Sequence, residues 1–230
     1  MARRKRKKKQ DEELLVDIVE ARESASDFID RNQKSIFGAL TAFVLLVGGY
    51  FAYKYLYAQP KQGEAIEQMY QAQWQFERDS FALALTNPGG GYSGFLDIID
   101  NYRGTEAANV ANFYSGISYL NLGQFDAAIS YLNDFSPSGE IIPMMKYGAL
   151  GDAYSEKGDL AKAMGYYKDA AAEEDNEALT PYYLMKIGML HEKEGRMDEA
   201  KKAYEQIKSK YPDSAAGRDI DKNIIKVSQG

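Results

Sequence analysis

Residue types that commonly catalyse reactions or bind metals are scarce in this sequence. Its 230 residues include one histidine, His191, and no cysteine. The lack of cysteine excludes disulfides, thiolate nucleophiles, cysteine-ligated zinc and lipid attachment through cysteine, and with the last an outer-membrane lipoprotein. No HExxH, GxSxG or phosphate-loop pattern occurs, so the usual signatures of metalloproteases, serine hydrolases and nucleotide-binding enzymes are missing.

Three further features could suggest a site, and each has a simpler explanation. His191 falls at a core position of a predicted helix, where we expect a buried side chain with satisfied hydrogen bonds. The acidic run Glu173-Glu174-Asp175 falls at a predicted helix end or loop and should be solvated. The glycines of Asn87-Pro-Gly-Gly-Gly-Tyr92 lack the helix context of a phosphate-binding loop, so we expect a flexible insertion. The sequence therefore predicts a protein that is not an enzyme and has neither metal nor cofactor.

Charge is distributed unevenly along the chain. Residues 3–9 are all basic, whereas residues 11–30 carry eight acidic residues and one basic residue, Arg22. Residues 61–230 contain 17 Lys and Arg against 26 Asp and Glu, a net charge of −9. So acidic a region repels a phosphate backbone, and we expect no nucleic acid as partner. The basic run Arg3–Lys9 instead predicts contact with anionic membrane lipids, and RNA or ribosome contact is an alternative that lacks aromatic support.

An uncharged segment predicts a membrane-spanning helix. Nineteen residues between Lys34 and Lys54, SIFGALTAFVLLVGGYFAY, carry no charge. With the aromatic residues that follow, the segment reaches about 22 residues, enough for a bilayer core of ~30 Å. A buried core helix would not need so long an uncharged run. A cleaved signal peptide would have a shorter apolar stretch after a shorter basic lead. We therefore assign a transmembrane helix to residues 35–57.

Lysine and arginine counts predict the orientation of this helix. Ten such residues precede the span, whereas only Lys54 and Lys61 lie close behind it. The positive-inside rule then places the N-terminal arm in the cytoplasm and the region after the span in the bacterial periplasm. Apolar residues at helical spacing within the arm predict an amphipathic helix over 12–33. Two small-xxx-small pairs in the span could let another helix dock closely, and they comprise Gly38, Ala42, Gly48 and Ala52.

The region after the span is self-similar. The segments 112–135, 147–170 and 184–207 align without gaps, at spacings of 35 and 37 residues. Each segment predicts a helix, a tight turn at a glycine and a second helix. Five positions coincide in all three segments: Gly116, Gly151 and Gly188; Tyr119, Tyr154 and His191; Gly123, Gly158 and Gly195; Ala128, Ala163 and Ala200; Leu132, Tyr167 and Tyr204. We expect the first glycine and the alanine where the two helices press together.

This pattern resembles the tetratricopeptide repeat, although the early tryptophan of that family is absent and His191 stands in place of a tyrosine. The resemblance implies an all-α fold, a single N-terminal transmembrane helix followed by a tetratricopeptide-repeat α-solenoid. A degenerate repeat should precede the three clear ones, with helices over 63–85 and 92–102. The predicted divisions are an arm at 1–34, the span at 35–57, a linker helix and degenerate repeat at 58–108, three repeats at 109–212 and a capping helix at 213–230.

Helical repeats of this type bind partners in a groove lined by their first helices. Methionine and aromatic residues there would suit adaptable recognition of apolar segments, although several could simply pack the solenoid. The family's groove-facing pattern, carried over to this sequence, implies these candidates: Val110, Phe113, Ile117 and Asn121 in the first repeat; Met145, Asp152 and Glu156 in the second; Tyr182, Met185, Met189 and Lys193 in the third.

The order of arm, span, linker helix and repeats along the chain also resembles a known family. FIDRNQKSI at 28–36 leads into the span, YKYL at 53–56 closes it, and a Gln, Glu and Ala-rich helix precedes the repeats. This layout is similar to the YfgM-like family. The resemblance implies an ancillary subunit of the SecYEG translocon that acts with a PpiD-like anchored periplasmic chaperone on emerging chains. Two alternatives stay open: a repeat scaffold for another envelope assembly, secretion or division complex, and an organellar import receptor whose repeats face the cytosol.

Overall fold

A computed structural model describes the backbone of residues 2–229 and the side chains of Ser26 and of residues 28–229. Every regular element in this part of the chain is helical, which confirms the all-α fold. The chain divides into two compact units, one ending at Gln59 and one beginning at Pro60.

The first unit is dominated by one helix, α1 (Ala2–Tyr53), followed by a π-helical turn at Lys54–Ala58. The separate arm helix predicted over 12–33 is part of α1, and the basic side chains of Arg3–Lys9 lie outside the described residues. Large apolar side chains such as Phe43 and Leu46 are exposed. Among the described residues, one helical stretch is long and apolar enough to cross a membrane, and its apolar window is unburied.

The second unit begins with a broken helix rather than the single helix predicted over 63–85. Helix α2 (Gln59–Glu77) ends before a turn in which Asp79 adopts a φ of 57°, and α3 (Phe81–Thr86) follows. The turn brings the rings of Phe76 and Phe81 edge to face, with 5.4 Å between their centroids.

The glycine-rich loop after α3 is tied to α2, contrary to the expected free insertion. Gln75 donates to the carbonyl oxygen of Pro88 at 3.0 Å, and Gln68 accepts from the backbone N–H of Ser93 at 3.3 Å. Pro88 is fully buried. These bonds anchor both ends of the loop and fix the start of the following helix.

The remaining helices form pairs that stack in sequence order. The short helix α4 leads into them, and the last helix covers the end of the stack. Within the segment 213–230 predicted as a capping helix, the helix starts only at Ile220, because Ser214 accepts from the backbone N–H of Gly217 and closes a turn first. The bounds are α4 Phe95–Asn101, α5 Glu106–Asn121, α6 Phe125–Asp134, α7 Ile141–Glu156, α8 Leu160–Glu173, α9 Leu179–Lys193, α10 Met197–Lys210 and α11 Ile220–Gln229.

The first glycine of each repeat allows its two helices to approach closely. A Cβ atom at Gly116 would lie 2.6 Å from Cγ of Leu132, and one at Gly151 would lie 2.5 Å from the ring of Tyr167. At Gly188 the ring of Tyr204 comes closer still. The expected close contact is therefore present at the same position in all three pairs α5–α6, α7–α8 and α9–α10.

The second glycine of each repeat ends the first helix. Gly123, Gly158 and Gly195 have φ values of 72°, 82° and 74°, which only glycine adopts without strain. In each repeat the N–H of the next residue donates to the carbonyl five residues back, at 2.9 Å. This is the glycine-terminated helix end that the sequence predicts.

The degenerate repeat packs on the first clear repeat through aromatic rings. Phe95 of α4 stacks on Tyr114 of α5 with 5.0 Å between ring centroids, and Phe76 meets Tyr114 edge on at 4.9 Å. Buried residues of α2, α3, α4 and α5 form one apolar cluster: Ala65, Met69, Ala72, Ala84, Phe95, Ile98, Ala107 and Ala111. Helices α2, α3 and α4 therefore share one apolar core with the first clear repeat, and their assignment as a degenerate repeat stays a prediction.

Candidate partner-binding groove

The first helices of the repeats, α5, α7 and α9, share a face that the second helices leave open. Two hollows lie on it, and both use α5 and α7. We call them the apolar hollow, with a volume of about 440 Å³, and the charged hollow, with a volume of about 620 Å³. Ile117 lines the first and Asn121, one turn further along α5, lines the second.

The apolar hollow lies beside the N-terminal halves of α5 and α7. Phe135 is buried, whereas Met145 and Ile142 remain 38% and 37% exposed. Four predicted groove residues line it: Val110, Phe113, Ile117 and Met145. Six further residues line it that were not predicted from the sequence: Phe76, Glu106, Tyr114, Phe135, Ser138 and Ile142. The pair of adjacent isoleucines at 141–142 could have indicated Ile142 from the sequence alone.

The charged hollow lies beside the C-terminal ends of α5, α7 and α9. Met189 is 55% exposed, and Glu156 and Lys193 are exposed as well. Five predicted groove residues line it: Asn121, Asp152, Glu156, Met189 and Lys193. The residues that were not predicted are Leu120, Gly123, Phe125, Ser155, Tyr167, Lys186 and Leu190.

Asp152 is the most heavily bonded group in the charged hollow. Its Oδ1 accepts from the Tyr167 hydroxyl at 2.6 Å and from the Lys186 ammonium at 2.9 Å. Burial and this carboxylate raise the pKa of Tyr167 above its ordinary value. Burial disfavours the charge of Lys186, but the bond to Asp152 outweighs it and raises the pKa of that amine. Asp152 therefore joins neighbouring repeats, and Glu156 and Lys193 are the charges left for a ligand.

Two predicted groove residues lie outside both hollows. Tyr182 is exposed and packs edge to face on Tyr183, with 5.2 Å between centroids. Met185 packs against the core of the third repeat, where its sulfur lies 3.9 Å from the side-chain nitrogen of Asn223. Met185 therefore contributes to the docking of α11.

His191 is buried, as expected, but its hydrogen bonds are not all satisfied. The side chain is 8% exposed, and Nδ1 has no hydrogen-bond partner among the described residues. Burial, with the nearby cations Arg196 and Lys168, lowers the pKa of the imidazole. His191 lines neither hollow.

The described residues also include no group of three His, Asp or Glu side chains placed to hold a metal ion. Glu174 and Asp175 follow the end of α8 and are exposed, as predicted for the acidic run. Asp175 accepts a hydrogen bond from the Tyr211 hydroxyl, an interaction that sequence analysis did not foresee.

The four small residues of the predicted docking face lie on α1. At 100° per residue, Gly38, Ala42, Gly48 and Ala52 fall within an arc of about 120°. A Cβ atom at Gly38 or Gly48 would meet nothing within 4 Å. This side of α1 is therefore open in the first unit, and helix docking there stays a prediction.

Comparison with known proteins agrees with the repeat geometry. Two family models, both described as tetratricopeptide repeat, match residues 110–136 and 182–214 in one case and 147–179 in the other. No curated protein sequence matches the chain. These matches indicate no enzymatic family, and the expected translocon family is not among them.

Solved structures show the same fold at low sequence identity. The chain is similar to the nearly identical TPR-like repeats of a Podosopora anserina protein described as a kinesin light chain, in its unsubstituted form and in a single-residue variant. Each comparison has 13% identity and a TM-score of 0.56, and covers 73% of this chain and 86% or 87% of the other. Family matches, glycine contacts and helix pairing together show that this chain carries tetratricopeptide repeats, the fold of a protein–protein interaction scaffold.

Proposed function

We propose that this protein is a non-catalytic interaction subunit of the bacterial inner membrane, ancillary to the SecYEG translocon and the periplasmic chaperone network. In this proposal residues 35–57 span the membrane, the N-terminal arm lies in the cytoplasm and the repeats lie in the periplasm. The groove binds a PpiD-like anchored chaperone or emerging client chains. Basic residues Arg3–Lys9 contact membrane lipids.

The observation that carries the proposal is the open face of the first helices. Ile142, Met145 and Met189 are exposed, and all three line the two hollows. Exposed apolar groups around a concave surface are typical of partner-binding sites. Methionine adapts its shape to different partners, which suits a scaffold that meets varied segments. The resemblance of 28–57 in sequence layout supports the translocon as the setting.

Co-purification tests this function directly. The full-length chain, tagged after residue 230, would be extracted from bacterial membranes in a mild detergent, and bound proteins identified by mass spectrometry. We expect translocon subunits and an anchored periplasmic chaperone. A Met145→Glu variant should lose the chaperone or client proteins, because it places a charge in the apolar hollow. Ile225→Glu, at an exposed position of α11 outside both hollows, is the matched control.

Three results would contradict parts of the proposal. Absence of translocon subunits, under conditions that retain other membrane complexes, would remove the translocon assignment. Recovery of a different envelope assembly, secretion or division complex would favour the scaffold alternative instead. Unchanged partners in the Met145→Glu variant would show that the apolar hollow is not the binding surface.

A further inference from the structure

Two carboxylates lie at the helix starts beside the apolar hollow. Glu106, in the first turn of α5, is one of its lining residues. Glu140, the N-cap residue of α7, lies in sequence between two lining residues, Ser138 and Ile142. Both side chains are exposed. Neither takes part in any of the ion pairs found among the described residues. The hollow therefore has an acidic rim around an apolar interior.

Three cations in this part of the repeats already have partners. Arg103 pairs with Asp100 at 3.0 Å, although its side chain stays largely exposed. Lys146 donates to the carbonyl oxygen of Phe135 at 2.7 Å, and burial lowers the pKa of its amine. Lys61 donates to the carbonyl oxygen of Arg103 at 3.3 Å. None of these cations forms an ion pair with Glu106 or Glu140 among the described residues.

The N-termini of α5 and α7 partly offset the negative charge of the rim, because each helix start carries a partial positive charge. That charge is roughly half a unit and is felt mainly within the first turn. Glu106 and Glu140 each bring a full negative charge to those same helix starts. The carboxylates therefore dominate, and the region from residue 61 onward adds a net charge of −9 at longer range.

The dimensions of the hollow limit what can enter it. Its volume of about 440 Å³ lies at the small end of the ~300–1,000 Å³ range of ligand sites, so it fits a few large side chains and not a folded domain. Phe113 and Phe135, with 5.2 Å between ring centroids, give it an aromatic wall. Met145 and Ile142 sit at its mouth with over a third of their surface exposed.

Building on the proposed function, we infer that the apolar hollow binds a short partner segment in which large apolar residues are flanked by lysine or arginine. The apolar residues enter between α5 and α7. The flanking cations pair with Glu106 and Glu140 at the rim. Electrostatic complementarity of this kind selects among apolar segments and speeds their capture, while burial of the apolar residues supplies most of the affinity.

Fluorescent peptides test this specificity. The full-length chain would be reconstituted in nanodiscs of zwitterionic phosphatidylcholine, so that a basic peptide does not bind the lipid, and empty nanodiscs would give the background. Two peptides share a leucine core, one with flanking lysines and one with flanking glutamates. We expect the lysine-flanked peptide to bind about tenfold or more tightly, with an advantage that shrinks as salt is raised from about 50 mM to about 300 mM.

Variants assign the effect to the rim. Glu106→Gln combined with Glu140→Gln should remove most of the preference and leave binding of the leucine core. Met145→Glu should weaken both peptides about tenfold or more, because it charges the apolar interior. Glu199→Gln, an exposed carboxylate on the second helix α10, is the charge control and Ile225→Glu the apolar control; neither should change binding.

Equal binding of the two peptides, failure of either peptide to saturate, or a preference that survives removal of both rim carboxylates would each overturn this inference. Those results would not touch the proposed function, which depends on partners recovered from membranes. Conversely, a charge-selective hollow in a protein that recovers no translocon subunit would support the inference and contradict the proposed setting.

Discussion

Lys186 on α9 donates to Asp152 on α7 at 2.9 Å and thereby links the first helices of the second and third repeats. Both side chains are about 30% exposed, so water screens the pair only in part. We expect Lys186→Met to lower the free energy of unfolding by about 1 kcal/mol, because Asp152 keeps only its bond from Tyr167. Thermal unfolding of the full-length chain in mild detergent, followed by circular dichroism, measures this.

The control for that variant is Lys201→Met. Lys201 and Glu205 are farther apart, at 4.0 Å, and more exposed, so their pair should contribute less than about 0.5 kcal/mol. Equal destabilisation by the two variants would show that the link between repeats has no special role.

Because Gly188 lies against the ring of Tyr204, one added methyl group at position 188 should strongly destabilise the fold. Gly188→Ala places a Cβ atom against the tyrosine ring, and we expect a loss of about 2–3 kcal/mol from the overpacked helix pair. Gly165→Ala, in the interior of α8 where a Cβ atom meets nothing within 4 Å, should instead stabilise by about 0.5–1 kcal/mol. Equal thermal midpoints for the two variants would contradict the close-contact account.

The lowered pKa of His191 leads us to expect that the fold loses stability in mild acid. Its folded-state pKa lies below the ordinary value of about 6.5, so between the two values the unfolded chain binds the proton and the folded chain does not. Stability is therefore fully present above about pH 6.5 and falls as the pH is lowered. His191→Tyr, which restores the residue found at the aligned positions 119 and 154, should flatten this dependence between about pH 7 and about pH 5.5. An unchanged profile would mean that other groups dominate in this range.

The raised pKa of Tyr183 leads us to expect a second loss of stability at alkaline pH. Burial, with smaller contributions from nearby Tyr182 and Asp152, raises the pKa of Tyr183 to about 12. The unfolded chain loses this proton near pH 10, so stability is fully present below about pH 10 and declines as the pH rises towards 12. Tyr183→Phe should unfold at a higher temperature than the parent chain at about pH 11 and at a similar temperature at pH 7. If the unfolding temperatures of the parent chain and the variant fell equally as the pH rises, that result would contradict this assignment.

Local stereochemistry explains why the repeat cores could be predicted. The left-handed backbone at Gly123 and the missing side chain at Gly116 are requirements of one helix pair, and they recur in the next two. Alignment of the sequence with itself is then enough to identify them. The same alignment fixes helical phase, which is why nine of the eleven proposed groove residues line a hollow.

Features that the repeat pattern does not encode could not be predicted from the sequence. Residues 77–80 are polar but include neither glycine nor proline, so the sequence does not mark the break that the positive φ of Asp79 makes between α2 and α3. The helical pattern indicated the burial of His191 but could not show whether a partner reaches its Nδ1. Phe76 and Phe135 line the apolar hollow from a degenerate repeat and a loop, where no repeat register locates them.

The central claim is that the open face of the first helices binds protein partners, and crosslinking in living cells tests it most directly. A photoreactive phenylalanine analogue would replace Met145 at the mouth of the apolar hollow or, as control, Ile225 on α11; both side chains are exposed. We expect crosslinks to a discrete partner or client from position 145 and none from position 225. Crosslinks of equal yield from both positions, or from position 225 alone, would contradict it.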